Sequence, residues 1–367
     1  MNRMHGIIFA YGRREKFQSL VEHRVADSIP YAARYRMIDF MISNMVNAGV
    51  TDVGIILQDK YQSMLDHMSS GKDWDLSRKH GGLRLLPTAP KNDPSRAFRG
   101  KMEALEAIED YVQSIRQDYV VLASGTLVCN MAMSEVLEEH IKSGADITCV
   151  CAPHNDQEKS MTYMVDENGD ISDVITRKGI TGGFSALDVY VLSKKLLMQL
   201  IVECDGHNEY SFNEAVLQGM KNKLKLHAYV FKGYAAKIDS LPEYYERSME
   251  LLNPDVRADL FAEDRPIRSR DRSDASTYFG PQSKCENSLI ADGCIIEGEV
   301  ENSIIFRGVH VEKGAKISDC ILMQDTVIRA NATLKCAIVD KAVTVTANRM
   351  LMGHTTYPLA ISKFSVV

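Results

Sequence analysis

Eight cysteines and the histidines of the C-terminal part are the first residues that could carry chemistry. Cys129, Cys149, Cys151, Cys204, Cys285, Cys294, Cys320 and Cys336 are scattered, mostly inside apolar runs, and include no CxxC pair. A zinc cage or a dithiol redox pair needs thiols at closer, regular spacing. These cysteines therefore read as reduced thiols that fill core space. His310 lies between Val309 and Val311 with no acyl-acceptor signature beside it, and His354 follows later. His310 reads as a solvent-facing strand residue rather than a general base. The remaining chemistry must come from charged side chains in loops, and those depend on the elements that hold them.

The chain has 367 residues, enough for about two domains. Hydrophobic residues make up 45% and charged residues 25%, which suits a packed core rather than a disordered chain. With 43 Lys+Arg against 49 Asp+Glu, no chain-wide basic surface is expected, and nucleic acid is an unexpected partner. The apolar run at residues 7–10 is too short for a signal peptide or a membrane span. A cytoplasmic protein with no membrane partner is expected.

Short Val- and Ile-rich runs predict strands over residues 5–10, 52–57, 119–123, 146–151, 173–176, 186–192 and 224–230. Helical patterns fall between them, over 36–47, 60–69, 101–115, 133–143, 194–203, 211–222 and 241–252. The alternation predicts an α/β domain over residues 1–252, with a mostly parallel, Rossmann-like sheet covered on both faces. Nucleotide sites in such folds lie at the C-terminal ends of the strands. The polar stretch 70–99 reads as a long surface loop. Residues 253–284 carry Pro254, Pro266, Gly280, Pro281 and a charge-dense run at 264–272, and read as a linker or strap.

From residue 285 a repeat appears. The pairs Ile304-Ile305, Ile321-Leu322 and Ile338-Val339 recur every 17 residues. Apolar positions step by 6, 6 and 5 along Ile305, Val311, Ile317, Leu322, Ile328, Leu334, Val339 and Val345. Three short strands per turn of a triangular coil give that ladder, with one aliphatic side chain per face pointing inward. The pattern predicts a left-handed parallel β-helix of hexapeptide type over 285–367.

Particular residues then carry a family resemblance. Arg34-Tyr35-Arg36-Met37-Ile38-Asp39-Phe40-Met41-Ile42-Ser43-Asn44 resembles the "KYRIIDFALSN" segment of bacterial ADP-glucose pyrophosphorylases, the glucose-1-phosphate adenylyltransferases. Phe98-Arg99-Gly100-Lys101-Met102-Glu103-Ala104 resembles "YRGTADA", and Ser124-Gly125-Thr126 resembles "SGDH". Ile238-Asp239-Ser240 and Met249-Glu250-Leu251-Leu252 resemble "GTIDAYWEANMDLL", and Ile338-Val339-Asp340-Lys341-Ala342-Val343 resembles "VIDRAV". The resemblance spans nearly the whole chain. It implies a nucleotidyltransferase domain followed by the coil, and the reaction of ATP with glucose 1-phosphate to ADP-glucose and pyrophosphate.

Such chemistry needs glycines that let backbone N–H groups reach a triphosphate, cations, and carboxylates for Mg²⁺. Where the family has "GGxGxRLxPLT…RAKP", this chain keeps only Gly12 of the loop glycines, with Tyr11 and Arg14 in place of the others. Lys16 stands for the catalytic Arg, and Ala26 for a Lys. The family's metal carboxylates become Thr126, Ser211 and Ala215, and Glu214 lies out of register. The resemblance thus implies a dismantled catalytic site, no metal and no intrinsic cofactor. Mg²⁺ would matter only if other residues rebuild the site. Lys178 survives where a Lys binds the sugar phosphate, beside Arg177 in place of a Glu. A solvated turn lysine is the alternative reading there. The family's anion effector site corresponds to Arg24, Arg36 and Lys341, with Tyr31 for a His and His23 where an activator-binding Lys sits. An interdomain salt-bridge set is the alternative.

The resemblance implies a catalytically deficient regulatory subunit that modulates a catalytic ADP-glucose pyrophosphorylase subunit in a heterotetramer. The isolated chain is left open as a monomer or a homo-oligomer, and the subunit would respond to a phosphorylated small molecule or another anion. A slow but genuine enzyme and a stand-alone sugar-phosphate or nucleotide sensor remain as alternatives.

Overall fold

The computed structural model describes residues 3–12, 16–153, 161–176 and 182–367. Arg14, Arg177 and Lys178, singled out by the sequence, lie outside the described residues.

The large sheet is built from β1 (Met4–Ala10), β2 (Asp52–Leu57), β3 (Gly82–Pro87), β4 (Tyr119–Ser124), β5 (Ile147–Pro153), β6 (Thr162–Val165), β7 (Ile171–Ile175), β8 (Phe184–Ser193) and β9 (Leu226–Val230). Its order is β7-β6-β8-β4-β1-β2-β3, with β5 pairing β8 and β9. Strands β3, β2, β1 and β4 run parallel. β8 is antiparallel to β4 and β5, so the sheet is mixed. Both faces are covered. Ile7 and Phe9 enter one core, while Met4, Ile8 and Ala10 enter the other. That alternation is the two-residue period of a strand buried on both sides.

Three sequence expectations need correction. Residues 70–99 contain β3, which pairs only with β2. It is an edge strand with Arg84 exposed, and its interrupted apolar pattern hides it in the sequence. The helix expected over 101–115 breaks into Lys101–Glu106 and Glu109–Ser114. The 211–222 helix is a π-helix over Phe212–Gln218.

The segment 253–284 is structured. A helix, Pro254–Leu260, starts on Asn253, whose side chain accepts from the Asp255 N–H. The chain then straps across the helix α1 (Met37–Asn47). The Arg268 N–H donates to Ser43, Trp74 Nε1 donates to the Arg268 carbonyl, and the Ser269 hydroxyl donates to Asp39. Tyr278–Phe279 pairs parallel with Ile295–Ile296, so the first coil strand lies inside the predicted linker.

The coil consists of three five-stranded parallel sheets, the arrangement of a left-handed parallel β-helix. All eight positions of the apolar ladder, from Ile305 to Val345, are buried inside it. The first member of each pair does something else. Ile304, Ile321 and Ile338 face outward and join Phe17, Leu20, Tyr31, Tyr244 and Tyr245 in a core between coil and α/β domain. The corners repeat as well. Gly308, Asp325 and Ala342 occupy equivalent corners, all with left-handed backbone. Ala342 pays steric strain there at φ 54°. Ala342→Gly is expected to stabilise the protein by about 0.5–1 kcal/mol, read as a higher denaturant midpoint. A lower midpoint would mean that the methyl packs usefully.

Among the described residues no helix is long and apolar enough to cross a membrane.

Candidate functional site

The nucleotide site of this fold class belongs at the C-terminal ends of β1, β2 and β4. Tyr11 follows β1, and its ring packs edge-on to Phe98 at 5.0 Å. Gly12 has φ 79°, is exposed, and has open space where a Cβ would stand. Lys16 is exposed. Ala26 is buried at the start of a short 3-10 helix, Ala26–Ser28, and offers no cation. The neighbouring Asp27 carboxylate is buried instead, packed so closely on Gly125 that a Cβ there would meet Asp27 Oδ1 at 2.4 Å.

Thr126 is fully buried. Its hydroxyl lies 3.5 Å from Asp239 Oδ1 and 3.2 Å from the Ser124 hydroxyl. The short strand Ala235–Lys237 brings Asp239 here by pairing with Leu127–Cys129. Next to it stands Asp188, a buried carboxylate at a bulge in β8, with φ 64°. Asp188 accepts from Lys101 Nζ at 2.5 Å and from the Tyr190 hydroxyl at 2.9 Å. Lys237 Nζ stands 3.8 Å from Asp188 and 3.9 Å from Asp239. Two ammonium groups thus stand against Asp188 and Asp239, while Asp27 is a third carboxylate at this end of the sheet. Among the described residues no three His, Cys, Asp or Glu side chains gather in a metal-holding group. Lys101 and Lys237 compete with any divalent cation for Asp188 and Asp239.

The π-helix residues have structural duties. The Ser211 hydroxyl caps that helix by accepting from the Glu214 N–H, and Ala215 is buried. Glu214 is exposed and faces a cavity of about 400 Å³ with Arg99 and Tyr210. Arg99 stacks its guanidinium 3.7 Å from the Tyr210 ring centre.

Sequence reasoning missed Lys101, Asp188, Lys237 and Asp239 as site residues, although Lys101 and Asp239 stand in segments that carry the resemblance. Asp188 had a signal: one carboxylate inside an otherwise apolar strand. Lys237 had none.

A second constellation sits where the coil meets the α/β domain. Arg24 is 3% exposed, and its Nη2 donates to both carboxylate oxygens of Asp340 at 2.8 and 2.7 Å. Asp340 also accepts the Lys341 N–H. Arg36 precedes α1, where its N–H donates to Asp39, and its guanidinium donates to the Ser63 carbonyl at 2.7 Å. The fully buried Asp39 accepts from or pairs with His67 Nε2 at 2.6 Å. The Lys341 ammonium has no hydrogen-bond or ion-pair partner among the described residues, and burial with Arg36 and Arg24 nearby pushes its pKa well down. Burial also pulls the Arg36 guanidinium down to about 10. Lys363 is lowered by burial and by Arg24. Four cations thus share one region with Asp340. Two predicted members stand apart. Tyr31 is a core residue whose hydroxyl donates to the Arg247 carbonyl, with Phe40 and Tyr244 edge-on to its ring. His23 is exposed at the rim, 6.5 Å from the Phe364 ring.

Fold and site define a nucleotidyltransferase-type α/β domain joined to a hexapeptide-repeat coil. The profile described as Nucleotidyl transferase matches residues 5–178, and that of the GlmU-like C-terminal hexapeptide matches 276–356. The chain is 35% identical to "Glycogen biosynthesis protein GlgD" of Bacillus subtilis over 99% of its own length and 96% of that protein. It is 35% identical to the protein of the same name from Geobacillus stearothermophilus, over 86% and 83%. It is 30% identical to "Glucose-1-phosphate adenylyltransferase" of Fusobacterium nucleatum, over 86% and 84%. The chain belongs to the bacterial glucose-1-phosphate adenylyltransferase family, alongside the GlgD proteins.

Proposed function

We propose that this protein is a regulatory, catalytically deficient subunit of glucose-1-phosphate adenylyltransferase in glycogen biosynthesis. One observation carries the reading: Lys101 and Lys237 stand against Asp188 and Asp239 where a metal–triphosphate complex would need carboxylates to itself. Removing a single preorganised charge contact costs ~10²–10³ in rate. Several absent together leave little turnover. The chain assembles with a catalytic subunit as a heterotetramer and acts by favouring one state of it.

The second element is an anion site at Arg36, Lys341 and Lys363, anchored by the Arg24–Asp340 pair, with His23 at its rim. A phosphate group there would give the Lys341 ammonium a partner. The effector would be a phosphorylated small molecule or another anion.

The test is ADP-glucose synthesis by this chain alone, by the catalytic subunit alone, and by the mixture, with Mg²⁺, ATP and glucose 1-phosphate. The chain alone should turn over at least ~10³-fold more slowly than the catalytic subunit, while the mixture shows a changed kcat or effector response. Robust turnover by the chain alone would overturn the proposal.

A further inference from the structure

A cavity of about 610 Å³ opens at the other end of the same sheet, where the parallel strands begin. Its wall includes His5 at the start of β1, Asp52 at the start of β2 and Gly82 at the start of β3. The nucleotide site lies past the far ends of these strands, at Tyr11 and Thr126. This volume is in the size range of small-molecule sites, roughly 300–1,000 Å³.

The lining is strongly cationic. Arg78, Lys79, His80, Arg84 and Arg116 face it, against Asp52 as the lining carboxylate. Asp52 is occupied, accepting from Gln117 Nε2 at 2.8 Å and from Thr51 at 2.7 Å. Arg78 pairs with Asp75. Lys79, Arg84 and Arg116 have no hydrogen-bond or ion-pair partner among the described residues.

The geometry is built rather than incidental. Gly81 and Gly82 both have left-handed backbone, and a Cβ on Gly81 would meet Asp52 Oδ1 at 1.7 Å. This tight turn brings Arg78, Lys79 and His80 to the mouth. Gly54 leaves room for the Tyr111 ring, which a Cβ would meet at 2.7 Å. At the floor, His5 is 4% exposed. Its Nε2 bonds the Tyr111 hydroxyl at 2.9 Å, and burial lowers its pKa to about 4 against the pull of Asp52 and Gln117.

We propose that this cavity is a binding site for a small molecule carrying several phosphates, gripped by Lys79, Arg84 and Arg116, with His5 and Tyr111 forming its floor. Several cations on a concave wall hold a polyphosphate far better than a single phosphate, because each oxyanion gains its own charge-assisted hydrogen bond. The site is separate from the Arg36–Lys341 cluster and does not rest on the regulatory reading.

The experiment titrates the full chain with inorganic tripolyphosphate and with orthophosphate by calorimetry, and follows the histidine ring signals by NMR. Tripolyphosphate should bind saturably, at least tenfold tighter than orthophosphate, and should shift the His5 signal. Arg84→Gln and Arg116→Gln should each weaken it about tenfold, and their exposed positions leave the fold intact. Lys341→Met should leave this affinity unchanged. A His5 shift that survives both Arg variants, that disappears in Lys341→Met, or that never saturates would overturn the proposal.

Discussion

Asp340→Asn is expected to destabilise the protein by about 3–5 kcal/mol, the largest single effect of a charge in this fold. Arg24 and Asp340 are both almost fully buried, and they join the α/β domain to the coil across 316 residues of sequence. Asparagine keeps the shape of the side chain, so no cavity forms. What changes is the charge: the Arg24 guanidinium stays buried with Lys341 and Arg36 near it, now without its counterion. Equilibrium denaturation of both proteins measures the difference. The pair itself need not be a net source of stability, because desolvating two ions offsets much of their attraction. Arg24→Met combined with Asp340→Leu should therefore recover most of the loss. A single-variant loss below about 1 kcal/mol would mean that Arg24 finds another partner, and the interface account would fall.

Lys341→Met is expected to act in the opposite direction. A half-buried ammonium without an acidic partner of its own, beside two guanidinium groups, is a cost carried by the folded state. Methionine keeps the aliphatic stem and removes the charge, so thermal stability in phosphate-free buffer should rise by about 2 °C. The wild-type protein should gain stability on adding millimolar phosphate or sulfate, since a ligand that binds only the folded state adds RT ln(1 + [L]/Kd). At one hundred times Kd that is about 2.7 kcal/mol, and the variant should lose most of it. The pH dependence follows from the lowered pKa. Between the folded pKa of Lys341 and about 10.5, the unfolded chain holds a proton that the folded chain does not. Wild-type stability therefore rises with pH through that window relative to the variant, and the advantage is lost as pH falls through the folded pKa. A variant that is less stable than wild type, or that still responds fully to phosphate, would contradict the anion site.

The repeat ladder was legible because it is local. A 6-6-5 spacing of aliphatic residues can bury itself only as a three-faced coil, and Ile305, Val311 and Ile317 point inward as that spacing requires. The same logic located β1, β2 and β4, whose apolar runs are buried on both faces. β3 escaped because an edge strand buries only part of its surface and keeps a charge at Arg84. The outward isoleucines also escaped. Ile304, Ile321 and Ile338 differ from their inward neighbours only in what packs on them, and that is the α/β domain.

By itself the sequence determined the α/β domain and the coil that follows it. Those follow from residue type and spacing along one chain. Only the tertiary structure decided which charges meet. It placed Asp188 between Lys101 and Lys237, joined Arg24 to Asp340, moved Tyr31 out of the anion cluster into the core, and gathered Lys79, Arg84 and Arg116 around His5. The physical reason is range. Hydrophobic periodicity records which face of an element is buried, whereas an ion pair depends on two side chains that approach within a few ångströms from segments far apart in the chain.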